Sequence, residues 1–240
     1  MTCPGVSVSL PPMCGRYSLA RGEAPWTFAE VRVEWNGKPR YNVGPMQRAP
    51  VIRRRGARAE IDELTWGLIP SWSRDTGIAA RCINARSETV DSQPAFRSAF
   101  VHRRCLVPAD SFYEWQAEGR LKLPWRFVAK DAQPFLFAGL WESWSPPTEP
   151  ERPIETFTVL TTRPSGDILP VHDRMPVVLS GSAAADWLDP EKSAEELLQL
   201  CRPLPEGSLR RYRVTPRMNS VTFDTPECLQ PVVAQGDLFS

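Results

Sequence analysis

Twenty-five of the 240 residues are proline, and this limits the possible fold more than any other feature. Proline removes a backbone donor and breaks a helix interior, and within sheets it is confined to edges, strand starts and bulges. The chain therefore reads as short strands joined by turns, with few and short helices. Strand patterns occur at 49–54 ("APVIRR"), 103–109 ("RRCLVPA"), 124–130 ("PWRFVAK"), 134–142 ("PFLFAGLWE"), 155–162 ("ETFTVLTT") and 175–180 ("MPVVLS"). Helix patterns occur at 87–100, as one helix on each side of Pro94, at 180–189, and at 193–202, which has a Ser cap and an Arg in its last turn. Strands dominate, no repeat appears and no βαβ alternation is seen. The expected class is α+β around a largely antiparallel sheet or open barrel. The stretch 143–153 ("SWSPPTEPERP") reads as a loop between strands, and "AQGDLFS" at the C-terminus as a frayed end.

The length fits one large domain or two small ones. No apolar run approaches the roughly 18 residues of a membrane span, and the first twelve residues lack the pattern of a secretion signal. Six cysteines without a CxxC pair, beside two histidines, argue against a metal site and a disulfide framework. The expectation is a reducing, cytoplasmic compartment. With a net charge of +1, no global basic field exists, so an anionic partner must meet a local cluster. Nine tryptophans offer base-stacking platforms as well as core.

Few residues are suited to chemistry. His172 in "ILPVHDRMPVVL" sits before an apolar strand and reads equally as a structural turn histidine or as an acid–base group. His102 in "FVHRRC" reads as solvated surface. Glu114, between Tyr113 and Trp115, either alternates outward on a strand or is buried with a raised pKa. Asn84 in "RCINARSET" reads as a turn or cap residue. The cluster "RRRGAR" (53–58) reads as a solvated hairpin tip. Arg16, Arg86 and Arg174 are isolated arginines, each beside a candidate polar residue, of the kind that holds phosphate.

Cys14, in "PPMCGRYSLA", raises a sharper question. Inside a chain it offers only a thiol. As a first residue it offers an α-amine and a thiol on adjacent carbons. The amine, with a pKa of about 8, attacks an aldehyde to form a Schiff base, and the sulfur then closes a thiazolidine. The ring-opened sugar of an abasic site in DNA is such an aldehyde.

Together, "MCGRY" (13–17), "YNVGP" (41–45), "WGLIPSW" (66–72), "INARSET" (83–89), "RRCLVPADSFYEW" (103–115), "VHDRMPVVL" (171–179) and "VTPRMNS" (214–220) resemble the SRAP family, the SOS response-associated peptidases or abasic-site processing proteins. The resemblance runs from Met13 to about Val233. It implies a single α+β domain over 14–233 with a β-rich, barrel-like core and a basic groove, flanked by an extension (1–13) and a tail (234–240). It implies that Cys14 is the nucleophile that crosslinks to the abasic site, with Asn84, Glu114 and His172 completing the catalytic set. It also implies that Arg16, Arg86 and Arg174 contact phosphate, while Pro45, Trp72 and Thr161 line the DNA path. Ser73 follows Trp72 where some relatives carry a second aromatic. No metal or organic cofactor is implied. The expected partner is single-stranded DNA carrying an abasic site, or a junction of single strand with duplex, bound by a monomer.

One departure matters. Family members begin Met-Cys, whereas twelve residues precede Met13 here. A start at Met13, self-removal of the extension through Cys14, and an extension that stays and prevents crosslinking are three open readings. Three functions therefore stand at this level: Schiff-base chemistry on abasic DNA, a cysteine-type peptidase using Cys14, His172 and Asn84, and a non-covalent DNA binder.

Overall fold

The computed structural model describes residues 14–20, 26–28, 31–33, 37–56 and 58–232. The expectations for 1–13 and 234–240 lie outside these residues. Among the described residues, fifteen strands and three short α-helices follow in chain order. The strands are β1 (Arg16–Leu19), β2 (Trp26–Phe28), β3 (Val31–Val33), β4 (Arg40–Val43), β5 (Arg48–Arg55), β6 (Arg58–Trp66), β7 (Asn84–Arg86), β8 (Arg104–Ala109), β9 (Ser111–Glu118), β10 (Leu121–Ala129), β11 (Phe135–Trp144), β12 (Ile154–Thr162), β13 (Met175–Pro176), β14 (Val178–Leu179) and β15 (Leu209–Arg213). The helices are α1 (Arg97–His102), α2 (Ser182–Leu188) and α3 (Ala194–Leu200). None of them is long and apolar enough to cross a membrane.

Two sheets carry the site. In the larger, β12, β6, β5, β8 and β11 are neighbours in turn, and a further β11–β12 pairing closes them into a ring. All pairs in that ring are antiparallel except β6–β12, and β7 also runs parallel to β12. The fold is thus α+β, with a barrel-like, mainly antiparallel core. The second sheet has the order β15-β10-β9-β1-β4.

Local chemistry explains the elements. β5 and β6 turn at Gly56 (φ +61°), and β9 and β10 turn at Gly119 (φ +58°). Both glycines hold a left-handed conformation that most side chains resist. α3 begins with a capping box in which the Ser193 side chain and Glu196 serve each other's backbone donors. Arg202 lies beyond its end. Only α1 forms around Pro94; residues 87–92 are turns. Proline disfavours a helical conformation in the residue before it, which removes the upstream helix.

Aromatic rings join the sheets. Phe127 stacks on Phe112 (centroids 5.1 Å apart), Phe112 meets Phe137 edge-on, Phe137 meets Tyr17, Tyr17 lies 5.3 Å from Trp66, and Trp66 stacks on Phe157. Phe112, Phe127 and Tyr17 belong to the second sheet and the others to the barrel. This continuous apolar contact fixes β1 and β9 against the ring.

The "RRRGAR" cluster is a hairpin tip for most of its length, but Arg53 is buried at 2% exposure. It forks onto Glu155 at 2.7 and 2.8 Å, bonds Asp62, and lies 4.3 Å over the Trp141 ring. It ties β5 to β12 and β6 and is a structural cation.

Within β11, a Cβ on Gly139 would lie 2.9 Å from Cys105 Sγ and 3.1 Å from both Thr158 O and Val107 Cγ2. β8 and β12 flank β11 on both sides, so neither wall can yield cheaply. Gly139→Ala is expected to destabilise by about 1–3 kcal/mol. The melting temperature should then fall by roughly 3–10 °C, and the urea m-value should stay unchanged.

Candidate active site

β9 is buried on both faces over its first half. Phe112 and Glu114 share the face toward the barrel, while Tyr113 faces Val214, Met218 and Cys228. A carboxyl group is thereby carried into the apolar layer between the sheets. β1 pairs antiparallel with β9, with Arg16 opposite Tyr113 and Tyr17 opposite Phe112. The chain preceding Arg16 therefore runs past Glu114 and bends at Cys14, whose φ is +35°.

Glu114 is fully buried, and neither carboxyl oxygen has a hydrogen-bond partner of good geometry. Burial pushes its pKa up to about 8; the adjacent Cys14 thiol and main-chain N–H pull in the opposite direction without overcoming it. At neutral pH the group is thus largely a carboxylic acid. Cys14 is 4% exposed, and burial followed by the Glu114 carboxyl drives its thiol well above the ordinary range. His172 Nε2 lies 3.8 Å from Glu114 Oε2. The ring is held from behind, since the Arg174 main-chain N–H donates to His172 Nδ1 at 3.1 Å.

Asn84 opens β7, whose register against β12 sets it opposite Val159. Its Nδ2 donates at the long limit to Cys14 O (3.5 Å) and Val159 O (3.4 Å), and its buried Oδ1 has no partner. The strand start, rather than a helix cap, fixes this side chain.

Cys14, Asn84, Glu114 and His172 are thus brought together from four separate stretches of chain. The positions expected along a DNA path are placed less uniformly. Arg16 and Pro45 line one cavity of about 350 Å³ with Gly15, Trp115, Lys122 and Asn219. Arg16 is tethered there by Asn42 Oδ1, Met218 O and Asn219 O, and lies 5.7 Å from the Trp115 ring centre. Arg86 is exposed at the end of β7. Trp72 is 58% exposed, with its indole N–H held by Pro94 O at 3.2 Å. Thr161 is fully buried, and its carbonyl and hydroxyl oxygens meet Arg174 Nη2 at 2.7 and 3.3 Å. Sequence reasoning missed Trp115, Lys122 and Asn219 on the cavity wall and Glu88 as the partner of Arg174. The β1–β9–β10 register would have found the first two, but nothing local marks Asn219.

One buried site thus holds a thiol, a carboxyl group with an imidazole 3.8 Å from it, and an amide with an unsatisfied oxygen. The chain belongs to the family described as SOS response associated peptidase (SRAP), which matches residues 13–221. It is 40% identical over 228 residues to the abasic site processing protein YoaM of Bacillus subtilis, covering 90% of this chain and 97% of that one. It is 31% identical over 265 residues to the abasic site processing protein HMCES of Gallus gallus, covering 92% and 78%. Among solved structures, a Bacteroides thetaiotaomicron protein superposes with a TM-score of 0.76 at 25% identity, covering 92% of this chain and all of that one.

Proposed function

We propose that this protein processes abasic sites in DNA by covalent capture through Cys14, in a form in which Cys14 is the first residue. The observation that carries the reading is that the fully buried Glu114 carboxyl, its oxygens unpartnered, lies against the Cys14 main-chain nitrogen and thiol. With that nitrogen free, its lone pair attacks C1 of the ring-opened sugar. Glu114 donates the proton that lets the carbinolamine lose water. The thiol then adds to the imine carbon while its proton passes to the nitrogen, closing a thiazolidine. His172, whose Nδ1 accepts from the Arg174 main-chain N–H, offers its Nε2–H to the sugar ring oxygen as the ring opens and the C1 hydroxyl proton is passed to that oxygen. The unpartnered Oδ1 of Asn84 accepts a hydrogen bond from the opened sugar. The captured aldehyde carbon no longer supports β-elimination, so the strand is protected from scission.

The positive φ at Cys14 supports a chain that begins there. A left-handed conformation is unfavourable for a residue with a Cβ, and φ exists only while a residue precedes it. The DNA follows the cavity beside Gly15, Arg16 and Pro45 on one side and Arg174 and Arg86 on the other, with Trp72 as a stacking face. A single strand suits the reading, because its sugar reaches a recessed carboxyl without the unpairing a duplex requires.

The test incubates a chain beginning at Cys14 with an oligonucleotide carrying one abasic site, followed by a denaturing gel. A DNA-linked band is expected, absent with Cys14→Ala and absent when Met13 is retained. Glu114→Gln and His172→Ala are expected to slow its appearance while leaving strand affinity nearly intact. Strand binding with no linked band would favour the non-covalent alternative.

A further inference from the structure

Arg174 presents its guanidinium beside the site, and its two terminal nitrogens are taken by one carboxylate. Nη1 donates to Glu88 Oε1 at 2.6 Å and Nη2 to Glu88 Oε2 at 2.8 Å. Nη2 is also seated on Thr161 O, and Nε is buried without a partner. The Arg174 side chain is 11% exposed and that of Glu88 is 49% exposed. The guanidinium is therefore built in from behind, and the carboxylate closes it from the solvent side. Two oxygens on a planar fork are what a phosphate would offer to the same face. A strand phosphate and Glu88 cannot both take that fork.

Glu88 also has somewhere to go. It borders a cavity of about 380 Å³ whose wall includes the exposed Arg163 and Arg202. A carboxylate displaced from Arg174 would remain close to positive charge.

We propose that Glu88 occupies the phosphate seat of Arg174 in the free protein and so keeps undamaged single strands loosely held. Each encounter must displace it, and an intact strand gives no covalent bond in return. An abasic strand does, so retention is decided by chemistry at Cys14 rather than by charge. This inference rests on the DNA reading above, and its test separates the two.

Binding of an undamaged, fluorescently labelled single strand to the full chain would be followed by anisotropy across a sodium chloride series. Glu88→Gln and Glu88→Ala are both expected to bind about tenfold more tightly than wild type at low salt. The fork is then neutralised by the strand instead of by the protein. The slope of log affinity against log salt should steepen by about 0.7, because in wild type the displaced Glu88 takes up a cation that offsets the one the phosphate releases, and in the variants nothing does. Thermal melts of both variants verify the fold, which a half-exposed side chain leaves intact. If instead Glu88 merely orients Arg174, both variants bind equally or more weakly with an unchanged slope, and the inference is overturned. Failure of the wild-type chain beginning at Cys14 to crosslink abasic DNA would sink the functional reading instead. The gel scores that outcome independently of the salt series.

Discussion

Glu114→Gln is expected to stabilise the protein, and to do so far more at pH 9 than at pH 5. Burial without good hydrogen-bond partners raises the Glu114 pKa from an ordinary 4.5 to about 8. Between those values the folded state holds a proton that the unfolded state has released. Stability then falls as pH rises through the window, since its slope follows the protons bound unfolded minus those bound folded. Above the window the ionised form carries a folding penalty of up to about 5 kcal/mol by the same relation, and little of it is present at pH 5. Glutamine is nearly isosteric and does not ionise, so whatever it loses in local packing is the same at both pH values. The variant's melting temperature, relative to wild type, should therefore rise on the order of 10 °C between pH 5 and pH 9. A difference that is flat in pH would mean that the carboxyl is solvated or paired, and would remove the basis for calling it an acid at neutral pH.

Such a penalty is what functional sites are built on, and it explains which parts of the molecule could be read from sequence. The β-branched and aromatic runs that became β5, β8, β11 and β12 declare themselves because both faces of those strands are buried in the barrel. Burial on both faces of β9 instead blurs its alternation, and a buried glutamate in that strand looks like an outward-facing one. β6 reads as a charged segment because Asp62, Glu60 and Glu63 answer the arginines of β5 across the hairpin. Those pairings run from one strand of the hairpin to the other and are invisible in either strand alone. The four candidate residues stand out only through the combined motifs of a family. Nothing in "INAR" or "HDR" taken singly separates a ligand from a turn residue. The same holds for Arg174: its isolation in sequence suggested an open phosphate contact, but Glu88, eighty-six residues away, closes it. Arg53 errs the other way, as a member of a charge cluster that turns out to be a buried tie between strands.

The rate of crosslinking should trace a bell against pH, and Glu114→Gln should remove its alkaline side. In the chain that begins at Cys14, an amine with an intrinsic pKa of about 8 lies against a carboxyl pushed to about 8 by burial. An ammonium there draws the carboxyl pKa down, and a carboxylate draws the amine pKa up, so the two limbs belong to the pair rather than to either group. The reactive arrangement is a neutral amine beside a protonated carboxyl. An additional proton at low pH removes the nucleophilic lone pair. Loss of the shared proton at high pH leaves a carboxylate that cannot assist departure of water. The thiol adds no limb of its own in this range, because burial and Glu114 hold it well above its ordinary value. Glutamine keeps the shape but not the proton. The variant should lose about 10²–10⁴-fold in rate at the optimum, the usual worth of a positioned general acid. Its remaining activity should rise with pH to a plateau set by the amine alone. Quenched gel assays from pH 5 to 10 on wild type and variant measure both limbs. An alkaline limb that survives in Glu114→Gln would assign the proton donor to another group, with His172, 3.8 Å away, as the first to examine.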